Sequence, residues 1–259
     1  MITYVKANLR FWLALLVGCC FLPLAPSATA QDNPTQDRVF ELMDEIENTY
    51  GVGFAYPVEW QAASANEVIQ FNDYLTVILE SLARISETLY ALGADPNDPT
   101  RMTPADYFRL HFDNAHIVID RTTQLGSNFA GKTNPIYGNG AIVGYSIQLT
   151  GEGMRQPFTL AHELGHVVDS LLTDLPHTQH VEFLGGEWAA TAWIPGKGYI
   201  GNEHMFPRAV GGPNEDFADT FGQMMMGKLS PLNSTAPRWS FMVTHIHEWL
   251  EAIRNLPAN

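Results

Sequence analysis

The chain has 259 residues, of which 46% are hydrophobic and 16% are charged, as in a globular protein rather than a disordered one. This length suits one or two domains and is sufficient to bury a sizeable core. The 28 acidic residues outnumber the 14 basic ones, so the formal net charge is −14. Because no basic patch is visible, this charge argues against nucleic acid or an anionic membrane as a partner.

The first thirty residues have the layout of a secretory signal. Lys6 and Arg10 give a positive start, residues 11–24 form an apolar stretch, and Ala28-Thr-Ala30 is a small-residue cleavage motif. We therefore expect cleavage near Ala30 and a secreted or extracytoplasmic mature chain over residues 31–259. The apolar stretch is too short for a comfortable membrane span and no second one follows, so we expect no transmembrane helix in the mature chain.

A lipoprotein anchor at Cys19 is the alternative, because Leu16-Val-Gly-Cys19 resembles a lipobox. Against it, the apolar stretch continues past Cys19 and the cleavage motif at Ala30 would have no use.

Removal of residues 1–30 takes away two of the 14 basic residues and none of the 28 acidic ones, so the mature charge becomes −16. Cys19 and Cys20 leave with this segment or carry the anchor, so the mature domain has no disulfide and must be stabilised by its core and by any bound metal.

Helices and strands are both predicted along the mature chain. Apolar residues recur at helical spacing over residues 35–50 and again after Ser64, where Glu67 forms a capping box. Thr103 and Pro104 begin a shorter helix. Strands are predicted over Gly51–Tyr56, His116–Asp120 and Ala141–Thr150, and a loop over Gly93–Thr100.

The last predicted strand has one buried and one polar face, since Tyr145, Ile147 and Leu149 alternate with polar residues. The Gly-rich stretch before it (YGNGAIVG) has no following Lys-Ser/Thr and no helix, so we exclude a phosphate-binding loop. The order of the elements predicts an α+β fold in which a helix packs beneath a sheet.

The stretch LAHELGHVVDS lies on a predicted helix that begins near Pro157 and ends before Pro176. His162 and His166 are four residues apart, so both can reach one Zn²⁺ from the same helix face. Glu163 lies about 100° around the helix, where it can take the proton of a zinc-activated water as general base. Gly165 is costly in mid-helix and predicts the close approach of another backbone.

The pattern His-Glu-x-x-His also arises by chance, so the rest of the chain decides its meaning. Apolar neighbours predict a buried helix, in which histidines without partners are costly. A catalytic zinc needs a third protein ligand, and Glu215 and Asp219 lie four apart on a later predicted helix. One can bind the metal while the other orients a ligand histidine. Stabilisation of the helix dipole is the alternative, and it accounts for one acid near the start but not for Asp219.

HELGH followed about fifty residues later by E-x-x-x-D resembles the gluzincin metallopeptidases. More narrowly, residues 215–221 (EDFADTF) are similar to the third-ligand helix of the anthrax lethal factor catalytic domain and its bacterial relatives. The resemblance covers about Tyr145 to Met226. It implies a zincin-like α+β metallopeptidase domain, with a small mixed sheet packed on helices, the motif helix and a C-terminal helical half. Residues 31–100 would be its helical N-terminal part and residues 101–259 its catalytic part.

The same resemblance implies one Zn²⁺ per chain, bound by His162, His166 and Glu215, with Glu163 as the general base. Asp219 and Asp169 would lie behind the ligands.

One residue departs from the family pattern. These relatives carry a tyrosine seven residues before the third ligand, where it stabilises the oxyanion of the transition state. Arg208 holds that position here. The residues that could take this role are Tyr199, His204 and Arg208 itself. The fourth alternative is a site that has no oxyanion-stabilising residue.

The prediction is a secreted zinc-dependent endopeptidase that acts on a peptide or protein substrate, and a catalytically inactive zincin-like binding module is the alternative. A structural metal site is disfavoured, because it would close with a fourth protein ligand and would not need Glu163. We expect the substrate to lie as an extended strand along Tyr145–Thr150, taken as the sheet edge. His177 and His180 lie in a predicted loop and are weaker candidates for a second metal ion.

Overall fold

A four-stranded sheet and the helices packed against it surround the hydrophobic core. The structure is a computed structural model that describes residues 34–94, 102–122, 125, 129–184, 188–189, 192–193, 212–232 and 235–257. The predicted signal peptide, most of the predicted loop after Gly93, and Tyr199, His204 and Arg208 lie outside the described residues. Residues Pro34–Asn259 form one compact unit.

Helices and strands share the chain, and the predicted α+β class is confirmed. The helices are α1 (Gln36–Tyr50), α2 (Ala65–Gly93), α3 (Pro104–Phe112), α4 (Gly151–Met154), α5 (Pro157–Leu171), α6 (Leu175–Leu184), α7 (Pro213–Met225) and α8 (Ala236–Arg254). The strands are β1 (Gly53–Phe54), β2 (Ile117–Arg121), β3 (Gly131–Gly138), β4 (Ala141–Leu149), β5 (Trp188–Ala189) and β6 (Ala192–Trp193). Among the helices so described, none is long and apolar enough to cross a membrane.

The predicted helix starts are confirmed by the capping contacts. The side chains of Thr35 and Ser64 accept backbone hydrogen bonds at the starts of α1 and α2, and Thr103 forms a reciprocal capping box with Asp106. In place of the predicted strand at Gly51–Tyr56, the structure has a strand of two residues, Gly53–Phe54. Gly51 ends α1 with a φ of 70°, and Tyr56 has a φ of 50° before a 3₁₀ turn, so the chain turns at both ends of the segment.

The main sheet has the order β1-β2-β4-β3, with β1, β2 and β4 parallel and β3 antiparallel to β4. The predicted alternation in β4 is confirmed, because Tyr145, Ile147 and Leu149 are buried. The prediction that Tyr145–Thr150 forms the sheet edge is wrong. Ile147 pairs with Ile119 on one side and with Thr133 on the other, so β3 is the edge.

A two-residue turn joins β3 to β4 and explains the Gly-rich stretch that precedes β4. Asn139 has a φ of 51° and Gly140 has a φ of 83°, the pair of positive values that a type I′ hairpin turn requires. Asn-Gly is the sequence most often found in such turns. The stretch therefore serves as a hairpin connection.

Helices α5 and α7 approach each other closely at a glycine, as the sequence predicts. A Cβ atom on Gly165 would lie 2.9 Å from the Cα atom of Ala218, closer than packed atoms allow. The absence of a side chain at Gly165 therefore allows the two helices to touch along their backbones. This contact brings the His-Glu-x-x-His segment beside the predicted third-ligand helix.

We expect Gly165→Ala to lower the free energy of unfolding by about 1–3 kcal/mol, because overpacking of a filled contact costs that much. The gain in helix propensity from alanine, about 0.5–1 kcal/mol, is too small to offset it. Urea unfolding followed by circular dichroism measures the change. Gly53→Ala is the matched control, since its added Cβ would lie 3.5 Å from Val118, an ordinary contact. Equal stability of the two variants would contradict the packing argument.

Candidate metal centre

Three predicted ligands converge at the contact between α5 and α7. The Nε2 atoms of His162 and His166 are 3.2 Å apart. The Nε2 atom of His162 lies 3.3 Å from Oε2 of Glu215, and that of His166 lies 3.4 Å from Oε1. The helical spacing of four residues and the Gly165 contact together produce this triangle.

The triangle fits a tetrahedral metal ion. Bonds of about 2.0–2.1 Å to a tetrahedral zinc place neighbouring ligand atoms about 3.3 Å apart. The three observed separations of 3.2, 3.3 and 3.4 Å match this value. Without a metal ion, a hydrogen bond between the two imidazoles would explain their close approach. The single proton of that bond would join only these two rings and not the third group, the Glu215 carboxylate. Two histidines and one carboxylate are also a donor set that zinc takes in catalytic sites.

Asp219 fixes the orientation of the first histidine, in agreement with its predicted place behind the ligands. Its Oδ1 atom lies 2.7 Å from Nδ1 of His162, and both side chains are buried. Because the carboxylate accepts the Nδ1 proton, Nε2 can present its lone pair towards His166 and Glu215. Of the two acids four residues apart on α7, Glu215 thus faces the triangle and Asp219 supports it.

The electrostatics of the cluster favour positive charge. Burial disfavours protonation of His162, but hydrogen bonds to Asp219 and Glu215 outweigh it and raise the pKa of His162 to about 9. Burial also disfavours ionisation of Glu215, but hydrogen bonds with both histidines hold the pKa of its carboxyl well below the usual range. Burial raises the pKa of Glu163, which lies beside the triangle. A site with three carboxylates and two imidazoles attracts a cation.

The carboxylate of Glu163 is held by the edge strand. Thr133 Oγ1 lies 2.8 Å from Oε2 of Glu163 and 3.0 Å from its backbone oxygen, so the hydroxyl donates to either acceptor. A Cβ atom on Gly131 would lie 2.7 Å from Oε1 of Glu163, so only glycine leaves room for this carboxylate. Sequence reasoning missed both residues, because it did not predict β3.

A cleft of about 1030 Å³ opens beside the cluster. The predicted ligands and Glu163 lie in its wall. The other walls come from β3 and the residues before it, from β4, the end of α5 and the turn after it, α6 and the start of α7. They include Phe129, Gly131, Thr133, Tyr145, Asp169, Ser170, Asp174, His177 and Asn214.

Asp169 differs from its expected role behind the metal ligands. Its Oδ2 atom lies 2.7 Å from Nδ1 of His177, and its Oδ1 atom accepts the backbone N–H of His177 at 3.0 Å. The predicted loop around His177 and His180 is also wrong, because both lie on α6. Pro176 falls in the first turn, where its missing N–H is tolerated.

His180 does not share a metal site with His177, contrary to the weaker sequence hypothesis. Its ring is completely buried near Arg238, and burial lowers its pKa well below the usual value, so it is neutral. Arg238 is buried as well. Its Nη1 donates a hydrogen bond of 3.0 Å to Oδ2 of Asp216, and its Nη2 forms an ion pair of 3.0 Å with Oδ1. Since Asp216 is next to Glu215, this ion pair anchors the ligand end of α7 to α8.

Comparisons of the chain with protein-family models, with characterised proteins and with solved structures give no match. The function of the site is therefore inferred from its own geometry and chemistry.

We expect Arg238→Met to lower the free energy of unfolding by about 3–5 kcal/mol, because it leaves the buried charge of Asp216 without its partner. Chemical denaturation measures this loss. Arg254→Met removes an exposed pair with Glu251 and serves as the control, with an expected change of about 0–1 kcal/mol. A loss for Arg238→Met no larger than for the control would show that the buried pair does not hold α7.

Proposed function

We propose that the protein is an exported zinc-dependent endopeptidase with a zincin-like fold, acting on peptide or protein substrates after signal cleavage near Ala30. The observation that carries the proposal is the tetrahedral spacing of His162, His166 and Glu215 with Glu163 beside them in an open cleft. A structural metal site would close with a fourth protein ligand and would leave the buried carboxylate of Glu163 without a purpose.

The protein residues divide the reaction between them. His162, His166 and Glu215 would hold the ion, and when bound, zinc supplies a Lewis acid that polarises the carbonyl and acidifies water. Glu163 takes a proton from the attacking water as the water oxygen bonds to the carbonyl carbon. The proton then passes from Glu163 to the leaving nitrogen as the carbon–nitrogen bond breaks, and the products are a carboxylic acid and an amine.

Thr133 prepares Glu163 for this proton transfer. Its hydroxyl is a hydrogen-bond donor to Oε2, which leaves Oε1 on the side where Gly131 carries no side chain. The raised pKa that burial gives Glu163 brings the carboxylate closer to a pKa suited to accepting and returning a proton.

The edge strand supports an extended mode of substrate binding. β3 pairs with β4 on one side only among the described strands, so its other edge offers backbone groups to a peptide strand. Thr133 of β3 touches Glu163, so a peptide paired with β3 would pass the general base. β3 replaces Tyr145–Thr150 as the candidate binding strand.

We expect about one zinc ion per chain, because His162, His166 and Glu215 form a single three-ligand set. His162→Ala, His166→Ala and Glu215→Ala should each abolish stoichiometric zinc binding, measured by elemental analysis after dialysis. Asp219→Asn should weaken zinc affinity by about 10- to 100-fold, because it alters the group that orients His162.

Glu41→Gln, an exposed change on α1, is the control for this series and should keep full zinc content. Retention of zinc by Glu215→Ala would show that the third-ligand assignment is wrong.

Glu163→Gln separates zinc binding from hydrolysis. The amide has nearly the same shape as the carboxylate but cannot accept the proton, so we expect unchanged zinc content and a rate reduced by about 10²- to 10⁴-fold. Cleavage of unfolded casein and of a mixed peptide library measures the rate.

Unchanged turnover in Glu163→Gln would remove Glu163 as the general base. If the zinc-loaded wild-type protein cleaved neither casein nor any library peptide, the peptidase proposal would fail and a binding module would replace it.

A further inference from the structure

The turn between α5 and α6 brings an acid and a histidine together at the wall of the cleft. Thr173 and Asp174 have positive φ values of 51° and 66°, which reverses the chain within a few residues. As a result, the first turn of α6 lies against the end of α5. Asp169 of α5 then accepts both the backbone N–H and the Nδ1–H of His177.

This pair is arranged like an oriented catalytic histidine. The Asp169 side chain is buried with an exposed fraction of 4%, whereas that of His177 is 20% exposed and lines the cleft. Because the same carboxylate binds the backbone N–H and the ring Nδ1 of His177, the imidazole has a fixed orientation. Its Nε2 atom has no hydrogen-bond partner among the described residues.

The pair also lies near the predicted ligands. Asp169 follows His166 by three residues on α5, so their side chains are neighbours on one helix face. His177 and His166 line the same cleft, together with Glu163. A substrate carbonyl held next to Glu163 would therefore lie in the cleft that His177 borders.

The charge state of His177 suits a hydrogen-bond donor. The charged and titratable groups that act on it are Asp169 of α5, Asp174 of the connecting turn and His180 of α6. The hydrogen bond with Asp169 outweighs burial and raises the pKa of His177. Protonation is therefore favoured, and a protonated imidazole presents an Nε2–H to the cleft.

We propose that His177 is a catalytic residue, whose Nε2–H donates to the carbonyl oxygen of the scissile peptide as negative charge develops there. Asp169 is the residue that positions it. This inference rests on the proposed peptidase function. A preorganised donor of this kind lowers the barrier because it meets charge that is larger in the transition state than in the bound substrate.

Lys132 and Tyr145, two other donors in the cleft wall, suit this role less well. Gly131 and Thr133 face Glu163, so the alternation of β3 directs the side chain of Lys132 to the opposite face of the strand. The hydroxyl of Tyr145 is already bonded to Ser170 at 3.1 Å. His177 combines a fixed orientation with an available ring nitrogen.

The test compares His177→Phe, which keeps a ring but removes the donor, with His177→Gln, which keeps a neutral donor. We expect His177→Phe to bind zinc normally and to lower kcat by about 10²- to 10³-fold with little change in KM. The reduction of kcat should be smaller in His177→Gln, because the amide still donates a hydrogen bond. Thr178→Ala, an exposed neighbour on α6, is the matched control and should retain wild-type kcat.

A second readout uses an N-phosphoryl-leucine amide, whose tetrahedral phosphoryl group imitates the charged transition state. His177→Phe should bind it at least about tenfold more weakly than the wild-type protein, because one donor is lost. Isothermal titration calorimetry on the zinc-loaded proteins measures the affinity without any turnover.

Asp169→Asn tests the positioning role through pH. The amide oxygen still accepts the Nδ1–H, but the negative charge is gone, so the pKa of His177 falls. Since donation by a protonated ring is lost as pH rises through that pKa, the alkaline limb of the kcat profile should move to lower pH. A merely structural role would leave the limb in place.

The outcomes separate this inference from the proposed function. If the wild-type protein hydrolyses peptides and His177→Phe has the same kcat and the same inhibitor affinity, only the role of His177 is overturned. A zinc-loaded wild-type protein that cleaves no peptide overturns both. A loss of zinc in His177→Phe would also contradict the inference, because it would assign the residue to the metal centre.

Discussion

Close backbone contact between two helices is the constraint on which the candidate site depends. Each helix contributes a glycine at the crossing. Gly165 of α5 faces Ala218, and a Cβ atom on Gly222 of α7 would lie 3.2 Å from the backbone nitrogen of His162. Only at this separation can the short side chain of Asp219 reach His162 while Glu215 reaches both imidazoles. A larger side chain at either glycine would separate the ligand sets carried by the two helices.

Burial of many charged groups in one region follows from this arrangement. Glu163, Asp216 and Asp219 are nearly inaccessible, and Asp216 is paired with the buried Arg238. Isolated buried carboxylates are costly, so each must have a compensating partner. Asp216 is paired with a guanidinium and Asp219 with an imidazole, whereas Glu215 lies 3.3 and 3.4 Å from the two Nε2 atoms and Glu163 lines the same cleft. Besides these imidazoles and the Thr133 hydroxyl, a bound cation would stabilise the carboxylates of Glu215 and Glu163 further.

Local patterns predicted much of the structure, because they depend on neighbours in the sequence. Apolar spacing, the capping box at Ser64 and the Thr103-Pro104 pair predicted three helices, and the spacing of four residues predicted that His162 and His166 share one helix face. Glu215 and Asp219 were predicted as a pair, but the residues alone did not decide which one would bind a metal ion. Their roles required the resemblance to gluzincins, and the 2.7 Å contact of Asp219 with His162 agrees with it.

Features that depend on distant contacts were not predicted. β3 was missed because Pro135 interrupts its pattern, although proline is tolerated on an edge strand and Asn139-Gly140 is a strong hairpin signal. With β3, the support of Glu163 by Thr133 was missed as well. The pairing of Asp169 with His177 depends on positive φ values at Thr173 and Asp174, where no glycine marks the turn.

The support of His162 by two carboxylates gives the proposed metal site an affinity for protons as well. With a pKa of about 9, the His162 imidazole is protonated in neutral solution when no cation is present. A metal ion that takes Nε2 must displace this proton, so proton and metal compete for one nitrogen. Below pH 9, each unit of acidification should weaken the apparent metal affinity about tenfold for the one proton released. The acidity of the surroundings would then set how much metal the proposed site retains.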